Sequence, residues 1–467
     1  MGTRFSTAFF MVSGRCGEVS AKNPLCFLAD YVTFVHFLKF VTMHRQSWVA
    51  FAMFFLTLGG FSYAQIPGGV DPTTGQDISK GKYNNPISTA VPFLSLSPDA
   101  RSGGMADVGV ATSADLNSQH YNAAKYAFLK DQFGLSLTYS PWLINLVPDM
   151  SLMYLSGAYK FKDERNVLGF SLLYFSMGAV TFTDAQGNGA QTYKPNEFAI
   201  DVSYSRKLID VLSIAVTGRF IYSNLTLGQF VQGIDTKAGL AGAADIGLYY
   251  CQDFDLGKQY KGGTLSAGLS ITNLGNKISY VNGTTYDEDA EKNFLPATLR
   301  LGVGFNWHID DYNSVGFYAE AYKLLVPTPP LTKYDSATGD WLITAGKNNR
   351  VNVMKGIFQS FGDAPGGFTE EMREIQWSLA AEYWWRDIVA VRMGYFHESK
   401  YKGWRQYFTL GVGLRYKMVG LDFSYLIPTS TISGSNPLKN TLRVGVSFNF
   451  NRAERAARQA KRVNDQF

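Results

Sequence analysis

Residues 441–450 read TLRVGVSFNF. Leu442, Val444, Val446, Phe448 and Phe450 are apolar, and Thr441, Arg443, Gly445, Ser447 and Asn449 between them are small or polar. A two-residue period describes a strand whose side chains point alternately into two environments. Strands of soluble proteins average roughly five or six residues, whereas a tilted strand crossing a bilayer needs about 9–11. Ten residues of unbroken alternation match the membrane strand, and a long sandwich strand is the alternative for this stretch alone.

Composition narrows the choice. The chain has 46 Gly, 34 Phe, 27 Tyr and 8 Trp, its charged fraction is 17%, and no apolar run reaches the length of a spanning helix. That pattern fits a transmembrane β-barrel better than a helical membrane protein, and a soluble all-β protein shares it. The formal charge of +5 comes from the ends: residues 1–64 and 451–467 each carry five basic and two acidic side chains, which leaves about −1 between them. A body of that charge is not a nucleic-acid-binding one.

Repetition decides between barrel and sandwich. Phe133, Leu135, Leu137 and Tyr139 alternate in the same way, as do Phe198, Ile200, Val202 and Tyr204, and then Leu299, Leu301, Val303, Phe305 and Trp307. The most regular series is Trp404, Phe408, Leu410, Val412, Leu414 and Tyr416, with Arg405, Thr409, Gly411, Gly413 and Arg415 opposite. Residues 132–450 hold fourteen such segments, an even number as closed bacterial barrels require. Links after the second, fourth, eighth, tenth and twelfth segments are short (FKDERN, RKLID, HIDDYN, Arg386–Asp387, KMVG). Those after most odd segments are long and polar, the longest running from about Leu324 to Glu374. The links after the sixth (CQDFDLGKQYKGG) and eleventh (ESKYKG) break this rule mildly. Short inner turns and long outer loops define an outer-membrane barrel with both barrel ends in the periplasm.

The N-terminal region speaks of export. From Met43 the chain reads MHRQSWVAFAMFFLTLGGFSYAQ, a short basic start, an apolar core and small residues at Ser62 and Ala64. Residues 1–64 are therefore expected to be a signal peptide with an upstream extension, with the true start at Met43. The mature chain keeps Cys251 alone, so it forms no internal disulfide. Residues 65–131, rich in Gly, Pro, Ser and Asp, are expected to form a plug inside the barrel, and 451–467 a basic periplasmic tail.

Within the plug, SLSPDARSGGMADVGVATSADLNSQHYNAAKYAF (95–128) resembles the N-terminal hatch of the FadL family of fourteen-stranded outer-membrane transporters. Asn122, Ala123 and Ala124 stand where that family has Asn-Pro-Ala, so the proline is missing. ITNLGNKISY (271–280), FLPATLRLGVG (294–304) and SPDARSGGMADVGVA together resemble the PorV (LptO) family, the FadL-like outer-membrane component of the type IX secretion system. This resemblance implies a carrier in the bacterial outer membrane. It would bind the C-terminal signal domains of secreted cargo and bring them from the outer-membrane translocon to the attachment complex containing the PorU sortase. The alternative is a FadL-like channel for uptake of hydrophobic small molecules.

Candidate residues follow from the alternation. Asp201, Arg219, Asp245, Arg300, Glu320, Glu382, Arg392, Arg405, Arg415, Asp422 and Arg443 project into the lumen, while the apolar positions opposite face outer-membrane lipid. Six cations and five anions in one confined space are expected to pair with one another and with the plug, and a charged selective constriction is the sharper alternative. The loop from about 324 to 374 carries Tyr334, Trp341, Phe358 and Phe361, which mark either a cargo-docking surface or a lid that buries its own aromatics. No catalytic set, metal site or cofactor is expected. His120, His308 and His397 are scattered, and the GVG pairs at 302–304 and 411–413 sit inside strands as packing glycines. Removal of an acyl chain from lipid A, an activity attached to the LptO name, would need a Ser, His and Asp set that these residues do not offer.

Overall fold

A computed structural model describes residues 76–77, 82–143, 149–183, 189–225, 230–231, 234–255, 262–281, 292–429 and 441–450. The expected leader (1–64), the start at Met43, the first part of the plug and the tail (451–467) lie outside the described residues. Fourteen antiparallel strands form a closed barrel. They are β1 (Phe133–Pro141), β2 (Met150–Lys160), β3 (Asn166–Met177), β4 (Asn196–Ile209), β5 (Leu212–Asn224), β6 (Gly239–Phe254) and β7 (Gly262–Gly275). The second half comprises β8 (Thr298–His308), β9 (Asn313–Leu324), β10 (Gln376–Trp385), β11 (Val389–His397), β12 (Gln406–Tyr416), β13 (Val419–Pro428) and β14 (Leu442–Phe450).

Each strand pairs with its neighbour in sequence, and β14 returns to β1 through the register Val444↔Tyr139 to Phe450↔Phe133. Closure satisfies the backbone polar groups that a bilayer cannot solvate. At the seam the rings of Phe133 and Phe450 stack, with centroids 5.7 Å apart. Alternation of facing is regular. On β4, Ile200, Val202 and Tyr204 are exposed while Asp201, Ser203 and Ser205 are buried, and on β14 Leu442 and Phe448 are exposed while Arg443 and Ser447 are buried.

Two boundaries differ from the alternation in sequence. β6 runs sixteen residues to Phe254 and β7 starts at Gly262, so the link after the sixth strand is only 255–261 and obeys the inner-turn rule. Trp404 continues the apolar series of β12, yet its φ of 58° places it in the preceding turn, and the strand begins at Gln406.

The segment from 82 to 131 runs down the inside of the barrel. At its outer end Asn85 N–H bonds Tyr401 O (2.9 Å) and Ala90 N–H bonds Phe294 O (2.9 Å), both in outer links. Val91, Phe93 and Leu94 then pack against Trp142, Leu152, Phe175 and Ile221 in the largest apolar cluster. Short helices at Ala100–Gly103 and Ser118–Tyr121 and a 3-10 turn at Ala123–Phe128 carry the chain inward. The chain thus enters at the outer mouth and leaves at the inner rim, where Lys160 Nζ donates to Leu129 O just before β1. Glycines set the fit between plug and wall. A Cβ on Gly104 would lie 2.9 Å from Gly411 Cα, and one on Gly268 would lie 2.3 Å from Val110 O, so backbone meets backbone at both contacts.

Candidate functional site

Ten of the eleven charges assigned to the lumen sit on barrel strands. Arg219 lies between Asp201 (2.7 Å) and Asp245 (2.9 Å) and also donates to Asn273. Arg392 holds Glu382 (2.7 Å) and Asp422 (2.7 Å), and Arg415 reaches the second oxygen of Asp422 (2.7 Å). Arg300 is 3.8 Å from Glu320, whose other oxygen accepts from the plug N–H groups of Gly109 (2.8 Å) and Val110 (2.9 Å). Arg443 donates to Ser97 O (3.1 Å) and lies 3.8 Å from Asp107, both in the plug. Arg405 is the exception. It precedes β12 in an outer link, its side chain is 37% exposed, and it pairs with Glu398 (2.9 Å) rather than with any wall charge.

The plug brings charges of its own, which strand alternation does not reveal. Arg101 is buried and bridges Glu382 (2.9 Å) on the wall and Asp115 (2.7 Å) in the plug, while Lys125 donates to Gly109 O (2.7 Å) and Thr112 Oγ1 (2.8 Å). Lone charges in an otherwise small-residue stretch were the available signal, because a charge among glycines and alanines must find a partner from elsewhere. Asn122 caps the 3-10 turn through Ala124 N–H (3.1 Å) and donates to Leu248 O on β6 (2.9 Å). Ala123 and Ala124 fill the small space beneath it, packed with Tyr126, Ala215 and Tyr249. His120 of the plug packs edge-on to Tyr121 and to Tyr154 on β2, whereas His308 and His397 end β8 and β11 at opposite rims.

The long outer link (325–375) is built in three parts. A hairpin (Leu331–Asp335 with Asp340–Ala345) is followed by helix Val353–Gln359 and then helix Phe368–Glu374. Tyr334, Trp341, Phe358 and Phe361 are 51%, 68%, 72% and 54% exposed. After the hairpin the link instead buries its carboxylates, Asp363, Glu370, Glu371 and Glu374. Glu370 and Glu374 bind Lys402 Nζ (2.5 and 2.9 Å), and Glu371 and Glu374 bind Lys323 Nζ (3.1 and 2.7 Å). Tyr83 and Asn85 at the start of the plug donate to Glu370 (2.5 and 3.1 Å), so plug, link and rim meet at one buried cluster.

Burial by itself would raise the Glu370 carboxyl, but hydrogen bonds from Lys402 and Tyr83 outweigh it and hold the group below the usual carboxylate range. Its stabilising contribution is present above the unfolded value and is lost only as pH falls through the lowered one. Burial raises neighbouring Asp363, whose contribution has the opposite sign and improves on protonation. Replacing Lys402 by Met leaves Glu370 and Glu374 short of their shared cation, a loss of about 1–3 kcal/mol. The expected outcome is faster amide hydrogen exchange across residues 363–374 with the barrel strands unchanged; unaltered exchange there would show that the ion pairs do not hold the link.

An apolar hollow of about 740 Å³ lies on β6–β10 and is lined by Leu269, Leu301, Val303, Ala319 and Leu379. These side chains alternate with the buried ones and face lipid, while the buried Tyr249, Glu320 and Ser378 also border the hollow.

Residues 79–331 match the family described as type IX secretion system protein PorV. No protein in the curated comparison matches the chain. Among solved structures, the toluene transporter TbuX of Ralstonia pickettii is 13% identical with a TM-score of 0.38, the match covering 76% of this chain and 98% of that one. The toluene transporter TodX of Pseudomonas putida is 10% identical with a TM-score of 0.40, covering 75% and 97%. A FadL homologue of Pseudomonas aeruginosa is 13% identical with a TM-score of 0.36, covering 79% and 100%.

Proposed function

The chain belongs to the PorV family of type IX secretion system proteins and is an integral outer-membrane barrel, and on that premise we propose that it is a non-enzymatic carrier of secreted cargo. It binds the C-terminal signal domain of cargo at the outer surface. It then passes cargo from the outer-membrane translocon to the attachment complex containing the PorU sortase. The observation that carries this reading is the exposed aromatic surface of the outer link, fixed to the rim by buried ion pairs. Exposed apolar side chains on a loop above a membrane suit a protein partner.

The competing reading, uptake of a hydrophobic small molecule, needs an apolar path through the barrel. Paired charges on the wall and a plug bonded to both halves of it favour a carrier over a conduit. The test is the triple replacement of Trp341, Phe358 and Phe361 by Ser. An interface draws most of its affinity from a few aromatic anchors, so cargo is expected to be lost from the purified protein. The variant should reach the outer membrane at normal levels, since none of the three lies in a barrel strand. Cargo that stays bound at wild-type levels would place docking elsewhere.

A further inference from the structure

Charge is segregated in the part of the outer link that follows the hairpin. From Gly346 to Ile375 all four carboxylates (Asp363, Glu370, Glu371 and Glu374) are buried, while Lys347, Arg350 and Lys355 are exposed. The exposed cations stand among Met354 and Phe358, 64% and 72% exposed. Gln359 donates to Asn348 O (2.9 Å), which holds the Lys347–Arg350 run beside helix Val353–Gln359. Gly356 seats that helix, since a Cβ there would lie 2.9 Å from the Phe294 ring and 3.0 Å from Pro327. The side away from that seat is both cationic and apolar.

The neighbouring hairpin is equally bare. Tyr334 and Trp341 pair across it with ring centroids 5.4 Å apart, residues 340–344 are all exposed, and its carboxylates Asp335 and Asp340 sit opposite each other at the turn end, away from the Leu331–Ala345 end that leads to the cations. Among the described residues no third strand joins it, so both edges are free. A lone two-stranded sheet is marginal in water, and a free edge offers a row of backbone donors and acceptors that a partner strand can use.

We propose that the outer link is a cationic docking arm whose partner is an acidic polypeptide, which brings carboxylates to Lys347, Arg350 and Lys355 beside an apolar contact and lays a strand along the hairpin. This rests on the docking reading above and specifies the chemistry of what docks. Cations above a membrane would also attract anionic lipid phosphates. A lipid, however, cannot use the free strand edge, and the edge and the cations belong to one link.

The test uses the full-length protein in detergent and the purified C-terminal signal domain of one secreted cargo protein. Reversing the three cations (Lys347→Glu, Arg350→Glu and Lys355→Glu) is expected to weaken binding by more than about tenfold, with the neutral Gln triple intermediate. Wild-type binding should also weaken between low salt and about 0.5 M, where screening shortens to a few ångströms, and the Gln triple should lose most of that dependence. Resistance of the barrel to unfolding in detergent reports that each variant is folded. If the serine triple releases the domain and the charge reversal does not, this inference fails and the docking reading stands. If neither releases it, both fail. If the reversal spares the domain but abolishes binding to vesicles containing lipid A, the cations serve a lipid and the inference is overturned.

Discussion

Replacing Val444 by Arg is expected to cut the yield of folded barrel by more than about tenfold on assembly into lipid vesicles, whereas Val444→Leu should assemble normally. β14 is the closing strand, and Val444 pairs with Tyr139 across the seam on the lipid-facing side. A charge near the bilayer midplane costs roughly 2–4 kcal/mol on that face. Each 1.4 kcal/mol is about tenfold in an equilibrium. The alternation alone suggests that Arg at Gly445 would escape into a polar lumen, but the structure corrects this. A Cβ at Gly445 would already lie 3.0 Å from Thr138 Oγ1 and 3.6 Å from Ala100 of the plug, so there is no room for the side chain. The two positions therefore fail differently. Gly445→Leu should be damaging through overpacking, whereas Val444→Leu is harmless. Semi-native gel electrophoresis separates folded from unfolded barrel, and wild-type assembly of Val444→Arg would mean that the register is wrong.

The barrel is legible in the sequence because the bilayer imposes both the length and the alternation of its strands. That signal reports which way a side chain faces and is silent on backbone conformation, which is why Trp404 reads as part of β12 although it occupies a turn. It is also silent on where a strand stops once it leaves the membrane, as at Cys251–Phe254, where β6 continues past the apolar series.

The lumen is half legible for a related reason. Asp201 and Arg219 lie directly opposite in the β4–β5 register, so a correct strand assignment brings them together. Arg101 and Glu382 are 281 residues apart, and no local pattern joins them. The outer link is the least legible part. Carboxylates ordinarily stay outside, and here Lys323 and Lys402, one at the end of β9 and one in another link, draw Glu370, Glu371 and Glu374 inside.

Glu382 is where removal of one side chain should cost most. It is 2% exposed and accepts from Arg392 Nε (2.7 Å) on the wall and from Arg101 Nε and Nη2 (3.1 and 2.9 Å) in the plug. Around it Arg101, Arg392 and Arg415 are balanced by Glu382, Asp115 and Asp422. Glu382→Leu leaves three cations against two anions in an enclosed space, and breaking a buried pair in this way costs about 3–5 kcal/mol. Arg101→Leu should also destabilise, since it strips Asp115 of its nearest cation. The double variant removes one charge of each sign and restores the balance, so it is expected to be more stable than the sum of the single losses by about 1–3 kcal/mol. Urea unfolding midpoints of the four proteins in vesicles measure this coupling. The same variants test whether the pair fixes the plug. Glu382→Leu should admit ions through the barrel in a vesicle conductance assay if the contact holds the plug in place. Additive losses together with a sealed barrel would show that Arg101 and Glu382 act independently and that the backbone contacts at Gly104 and Gly268 suffice to keep the lumen closed.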